Sequence, residues 1–469
     1  MQIDPKPLSE LSLEEISGLA ARFDRPGPRY TSYPTAVQFN EGFGPADYAR
    51  RLQDASARLQ EPISAYIHIP FCVERCTYCG CQVIPTQKRS VVEGYLDHLE
   101  KEVALAAGLL GDRRGLKVLH LGGGTPTYLS PGEIVRLFDG LRKSFHFEPG
   151  AEISVEMDPR VTTEEHIRTL RAQGANRASL GVQDFTPEVQ KAIGRTQSTE
   201  ETVRVFRTCR EAGFEGINLD LVYGLPRQTL DSIACTVGET LKLRPDRVAL
   251  YGYAHVPWMR SNQRSIDPED LPKAAERLRL FLRARDLFLG AGYLQIGMDH
   301  FALPTDDLVR AFQARRLGRN FMGYTPHMGL EIIGLGVSSI GHIAGAYAQN
   351  HKKLSTYYHM IDAGTLPIER GCPCSPDDDI RRWAIHQVLC NFHLDLQAFR
   401  QQAGIPFDEY FLQEAPAIAA SISDGLITRD AGGITVTDLG RAFVRNVAMA
   451  LDRYNGAPAG TGARFSRTV

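Results

Sequence analysis

The stretch AYIHIPFCVERCTYCGC, Ala65–Cys81, decides how the rest of the chain is read. An apolar run, Ala65 to Pro70, ends in a loop that carries Cys72, Cys76, Cys79 and Cys81, the first three spaced C-x3-C-x2-C. A 4Fe-4S cube has four irons and is normally held by four thiolates. Three thiolates at this spacing wrap three corners, and the open fourth iron can bind a small molecule and pass it an electron. Two plainer readings compete. Structural zinc sites usually pair two Cys or Cys/His knuckles far apart in sequence. No second knuckle follows here: Cys209 and Cys235 stand alone, and Cys372 and Cys374 lie far downstream. A disulfide framework suits neither the odd count of nine cysteines nor a 469-residue chain. The opening MQIDPKPLSELSLEE is acidic and amphipathic, unlike a secretory or transit leader. Cys81 falls outside a three-ligand scheme and reads as a wall residue of the loop.

From about residue 65 to 300, short apolar runs alternate with longer amphipathic stretches. The runs are residues 65–70, 117–124, 151–159, 177–183, 216–224, 247–254 and 293–301. Between them lie helix-like segments such as Tyr95–Leu109, Pro131–Phe145, Thr163–Gln173, Glu200–Ala212 and Leu230–Leu243. Strands separated by helices predict repeated β/α units with a parallel sheet, closing into a barrel or most of one, with chemistry at the C-terminal strand ends. The fold class expected is α/β: a partial, TIM-like (β/α) barrel at 65–365, preceded by an N-terminal arm at 1–64. A mainly helical, winged-helix-like C-terminal cap is expected at 366–469. There, Ser375 caps a helix with an acidic first turn, and two short strands flank Gly432-Gly433.

Apolar residues make up 43% of the chain and charged ones 23%, with a net charge of −2. That balance suggests neither a nucleic-acid face nor a basic membrane patch, and no apolar run is long enough to span a bilayer. Free thiols beside a cluster loop suit a reduced cytoplasm.

GGGTPT, Gly122–Thr127, follows the second strand, where bare backbone lets a ligand approach closely or simply makes a tight turn. Glu156, Gln183 and Asp220 sit at the ends of later strands. A carboxylate aimed into a barrel is costly unless partnered. It is either ion-paired, with Arg195 or Arg160 in reach, or it is a ligand for ribose hydroxyls or a sulfonium. His68 reads as a satisfied buried imidazole, His300 remains open between that and proton transfer, and Cys390 reads as a core thiol.

The cysteine loop at the end of an apolar strand resembles the radical S-adenosylmethionine (SAM) enzymes. A wider set of strings resembles the oxygen-independent coproporphyrinogen III oxidases of heme biosynthesis. These are GPRYTSYPTA (Gly27–Ala36), YIHIPFC, GGGTPTYL, ISVEMDPR, GVQDF, NLDLVYGLPRQT, YAHVPW, GMDHFALP, RNFMGYT, GLGVSSI, YAQN, CNF and FSR, spread over nearly the whole chain.

The resemblance implies an oxidoreductase with one 4Fe-4S cluster, held by Cys72, Cys76 and Cys79. Tyr66, Tyr78, Gly123, Glu156 and Ile340 would contact the cluster-bound S-adenosylmethionine. Gly124, Thr125, Gln183, Arg195, Asp220 and Ala254 would contact a second one. Phe321 and Met322 fall on a pair near the same site, with Met322 departing from the Gln of the family pattern, and Pro326–Glu331 diverges too. The implied reaction turns two propionates of coproporphyrinogen III into vinyls through a 5'-deoxyadenosyl radical. A substrate with four carboxylates calls for arginine forks. Arg22, Arg25 and Arg29, interleaved with Phe23, Tyr30 and Tyr33, suit a substrate lid or a surface strap. The resemblance further implies a monomer served by a flavodoxin- or ferredoxin-like donor. Competing functions are a relative using the same radical on another substrate (a methylase, a cyclopropane-forming or a heme-opening enzyme) and a related heme chaperone.

Overall fold

The computed structural model describes residues 8–455 and 465–468. The expected arm (1–64) and cap (366–469) therefore lie in part outside the described residues. Six parallel strands form the centre: β1 (Ile63–Ile69), β2 (Gly115–Gly123), β3 (His146–Met157), β4 (Arg177–Gln183), β5 (Gly216–Tyr223) and β6 (Arg247–Gly252). Helices connect them, including α1 (Arg89–Leu110), α2 (Pro131–Ser144), α3 (Glu164–Ala172), α4 (Thr199–Glu211) and α5 (Leu230–Leu243).

The seventh expected strand, residues 293–301, is instead a hairpin. β7 (Leu294–Ile296) and β8 (His300–Ala302) pair antiparallel, and β8 pairs antiparallel with β6. Gly297, at a φ of 56°, lets the chain reverse inside the run. Beyond β1 the sheet continues through β9 (Ile332–Leu335, parallel to β1), β10 (Ile340–Ile343), β11 (Ala346–Asn350) and β12 (Ile368–Pro373). The order across this twelve-stranded sheet is β12-β11-β10-β9-β1-β2-β3-β4-β5-β6-β8-β7. Neither edge meets the other, so the barrel is partial. The sheet also runs past residue 365, to Pro373.

Strand chemistry explains the lumen. In β4, Ala178, Leu180 and Val182 are buried, while Arg177, Ser179, Gly181 and Gln183 alternate with them and line a cavity. The same period of two puts Ile217, Leu219 and Leu221 of β5 into the core and Asn218, Asp220 and Val222 into the lumen. Register aligns these polar positions, pairing Tyr66 with His120, His120 with Ser154, Glu156 with Ser179, and Ser179 with Asn218.

The arm is an ordered strap. A capped helix, Leu13–Phe23, packs on α6 (Ala274–Gly290), and a second helix covers Pro45–Ser56. Between them Tyr30 and Tyr33 are fully buried, and the Tyr30 hydroxyl donates to Asp452 (2.9 Å). In the cap, Ser375 caps α7 (Pro376–Asn391), and Ile427–Arg429, Gly433–Val436 and His393–Asp395 make a three-stranded sheet.

Candidate active site

The main cavity, about 400 Å³, opens beside the cysteine loop and runs down the lumen to Arg177 and Arg247. Cys72, Cys76, Cys79 and Cys81 all border it. The loop is held from outside by Ser261–Ser265. Asn262 Nδ2 donates to the carbonyls of Cys76 (3.1 Å), Thr77 (3.0 Å) and Cys79 (3.0 Å), and Gln263 Nε2 to that of Tyr78 (2.8 Å). Thr125 Oγ1 lies 3.3 Å from Cys72 Sγ, and Arg160 and Arg195 lie 3.9 and 4.0 Å from Cys76 Sγ. Burial pushes the Cys72 thiol up to about 11, while a hydrogen bond with Cys81 pulls Cys79 down.

These residues fit an iron-sulfur cluster. Three thiols face one cavity with guanidinium and hydroxyl donors against their sulfurs, which suits thiolates that share a cluster's negative charge.

The glycine turn sits directly behind the loop. A Cβ on Gly124 would come within 2.8 Å of the Pro70 and Phe71 backbone, and one on Gly123 (φ 116°) within 2.6 Å of the His68 ring. The bare backbone is thus needed for close packing, and the Gly123 amide donates to Glu156 (3.1 Å).

Neither Glu156 nor Asp220 is paired with an arginine. Arg160 and Arg195 are taken by Asp158, at 2.8 and 2.9 Å. Glu156 instead accepts from Nε2 of His120 (3.2 Å), a ring whose Nδ1 bonds Ser154 (2.6 Å) and which stacks on Tyr66. Burial would raise the Glu156 carboxyl, but His120 and the Gly123 amide outweigh it and hold it below its ordinary range. Its side chain is 40% accessible, to the cavity it lines. Asp220, bonded by Ser179 and Asn218 (both 2.8 Å), is raised to about 6 by burial and then by Glu156.

Tyr78, Gly123, Gly124, Thr125, Glu156, Gln183, Arg195, Asp220 and Met322 all line this cavity. Tyr66 stands one layer behind, its hydroxyl 2.9 Å from His68 Nδ1. Ala254 is tied to the loop through Gln263, which bonds both its carbonyl and that of Tyr78. Ile340 and Phe321 pack together around Phe39, Tyr347 and Cys372, beside the cavity rather than on it. The arm arginines do not reach it. Arg22 pairs with Asp424, Arg25 is exposed, and Arg29 donates to the Gly252 carbonyl (2.6 Å).

Both His68 nitrogens are engaged, by Tyr66 and by the Gln82 carbonyl (2.9 Å), as a satisfied imidazole requires. His300 lines the cavity, with Asp299 at 2.8 Å from its Nδ1. Cys390 is fully buried in the core. The sequence reading missed His120, Asp158 and Asn262. Asp158 follows Glu156 with the same alternation and was within reach of it, whereas nothing in VPWMRSNQ marks Asn262 as a loop clamp.

Comparisons agree with this geometry. The Radical SAM superfamily model matches residues 66–237, and the HemN C-terminal domain model matches 374–443. The oxygen-independent coproporphyrinogen III oxidase of Pseudomonas aeruginosa is 43% identical over 453 residues, 96% of this chain and 98% of that protein. The protein of the same name from Escherichia coli is 41% identical over 95% of this chain and 97% of its own length. A solved structure described as coproporphyrinogen III oxidase (HemN) from Escherichia coli, a radical SAM enzyme, superposes with a TM-score of 0.87 at 42% identity, covering 91% of this chain and 97% of that one. The chain belongs to the oxygen-independent coproporphyrinogen III oxidases of the radical SAM superfamily.

Proposed function

We propose that this chain is an oxidoreductase of heme biosynthesis that decarboxylates two propionate side chains of coproporphyrinogen III to vinyls, giving protoporphyrinogen IX without oxygen. The observation that carries this reading is the convergence of three thiols and two carboxylates held by neutral hydrogen-bond donors and His120 rather than by arginine on one cavity, in a chain matched along nearly its whole length by coproporphyrinogen III oxidases. A 4Fe-4S cluster, which Cys72, Cys76 and Cys79 would hold, would supply one-electron reduction of S-adenosylmethionine and so the hydrogen-abstracting chemistry that a propionate C–H bond requires.

The chain's own residues bind and position. Cys72, Cys76 and Cys79 would hold the cluster, with Thr125 against the Cys72 sulfur and Arg160 and Arg195 against that of Cys76 to offset thiolate charge. Glu156 and Asp220 are acceptors for cofactor hydroxyls or an ammonium group, Glu156 pre-oriented by His120 and the Gly123 amide and Asp220 by Ser179 and Asn218.

The finer reading is one cluster and two S-adenosylmethionine molecules in a monomeric, cytoplasmic enzyme built as arm, barrel and cap and reduced by a flavodoxin- or ferredoxin-like protein. Its support is that residues of both cofactor sets, Tyr78, Gly123 and Glu156 with Gly124, Thr125, Gln183, Arg195 and Asp220, line the same cavity. No helix among the described residues is long and apolar enough to cross a membrane.

The test is anaerobic incubation of reduced protein with S-adenosylmethionine and coproporphyrinogen III, followed by chromatography for vinyl products. Divinyl product is expected. Cleavage of S-adenosylmethionine with all four propionates intact would move the chain to another radical substrate, and tight heme binding without cleavage would make it a heme chaperone.

A further inference from the structure

Four arginines from four parts of the fold converge on a second, smaller cavity of about 40 Å³. Arg29 comes from the arm, Arg277 from α6, Arg445 from the short helix Val444–Met449, and Arg467 from the C-terminal tail. Tyr223 and Gly252, at the ends of β5 and β6, form part of the wall. Their neighbours Val222 and Tyr251 line the main cavity, so the two cavities lie on opposite faces of the same strands.

The charges there do not balance. Arg467 is paired with Asp24. Arg29, Arg277 and Arg445 hydrogen-bond only backbone carbonyls among the described residues, and the two carboxylates that reach them electrostatically, Asp24 on Arg277 and Asp299 on Arg29, are already partners of Arg467 and His300. Arg29 donates to Gly252 (2.6 Å) and Arg277 to Tyr253 (3.2 Å). Arg445 donates to Gly27, Pro28 (3.0 Å), Ser466 (3.5 Å) and Arg467 (2.8 Å). Carbonyls satisfy N–H groups without cancelling charge. The one carboxylate in the wall, Asp299, is already committed to His300 (2.8 Å) and stands 3.6 Å from Arg319. Arg277 Nε is buried and has no hydrogen-bond partner. Burial, and then repulsion from Arg29 and Arg277, drops Arg445 to about 9.

Burying unpaired like charges is expensive, and a cavity left among them is where compensation belongs. A water needs roughly 10–15 Å³ of such space, so this cavity takes a group of a few heavy atoms. We propose that the pocket binds a small oxyanion, a carboxylate or phosphate group, and that the bound anion fastens the arm and tail to the barrel. The anion has two possible sources, a free ion such as phosphate or a carboxylate of the porphyrinogen, and both present the same chemistry to the arginines.

The test is thermal unfolding of the cluster-loaded protein titrated at constant ionic strength with inorganic phosphate or, separately, with coproporphyrin III. A saturable rise of the midpoint is expected, following the linkage relation for a ligand that binds only the folded state. It should vanish in Arg277→Gln and, independently of how that variant folds, in Arg29→Gln. A response to phosphate identifies a free anion. A response to coproporphyrin III alone, lost in both variants, identifies a substrate carboxylate. The proposal is overturned if neither probe shifts the midpoint or if both variants respond as the wild type does. Neither readout requires turnover, so its failure would be distinct from failure of the proposed reaction.

Discussion

Replacing Asn262 with Ala removes the clamp on the cysteine loop without touching any cysteine. One carboxamide nitrogen serves the carbonyls of Cys76, Thr77 and Cys79 at 3.0–3.1 Å. Two N–H protons shared among three carbonyls amount to about two hydrogen bonds, each worth about 0.5–1.5 kcal/mol net. The buried Asn262 Oδ1 has no partner, so its removal refunds a little of the loss. The balance is about 2 kcal/mol against the ordered loop, or about thirtyfold in the population of open loop. Since that loop carries all three expected iron ligands, Asn262→Ala should release iron to a colorimetric chelator about thirtyfold faster than wild type, under anaerobic conditions. Asn262→Asp should be worse, because a carboxylate would face three carbonyl oxygens. Release at the wild-type rate in both variants would refute the claim that this segment holds the loop.

Glu156→Gln should keep the fold and weaken S-adenosylmethionine binding by about ten- to a hundredfold, the range for losing a charged acceptor, as read by equilibrium binding to the cluster-loaded protein. Unchanged affinity would remove Glu156 from the site. Cys81→Ser should retain iron and sulfide, since Cys81 borders the cavity as a fourth thiol beyond the three ligands; loss of iron in elemental analysis would make it a ligand. Glu102 is 1% exposed, accepts from the Gly336 amide, Asn350 and Tyr357, and is raised by burial to about 7. Between the unfolded carboxyl range and pH 7 the folded state therefore holds a proton the unfolded state has lost, so stability falls as pH rises through that window and levels off above it. Denaturant titrations at pH 5 and 7.5 should show wild type losing stability relative to Glu102→Gln over that interval. A difference that is flat, or that grows with pH, would contradict the assignment.

Much of the barrel was legible because its strands announce themselves twice. RASLGVQ and INLDLVY alternate buried apolar and lumen-facing polar residues, and the helices between them have the right length and caps. The hairpin at Leu294–Ala302 was read as a single strand: Gly297 and Asp299 break the apolar run at its middle, but the strands on either side are three residues long and only the antiparallel pairing to β6 reveals them. The cysteine loop and the lumen carboxylates were visible as residue types in place. Their partners were not, because Arg160 and Arg195 could reach either Glu156 or Asp158, two residues apart at one strand end, and only the fold assigns both to Asp158. The arm arginines read as either a carboxylate clamp over the substrate or a surface strap. Packing sends Arg22 to the cap and Arg29 to a separate pocket, a choice set by where the arm crosses the barrel.

The account stands on the thiols at the mouth of the lumen. Protein purified and reconstituted without oxygen should contain about four irons and four sulfides per chain and, once reduced, should cleave S-adenosylmethionine to 5'-deoxyadenosine. Alanine at Cys72, Cys76 or Cys79 should abolish that cleavage while the folded circular-dichroism spectrum persists. Colourless wild-type protein without iron or sulfide, or undiminished cleavage in any of the three variants, would contradict it.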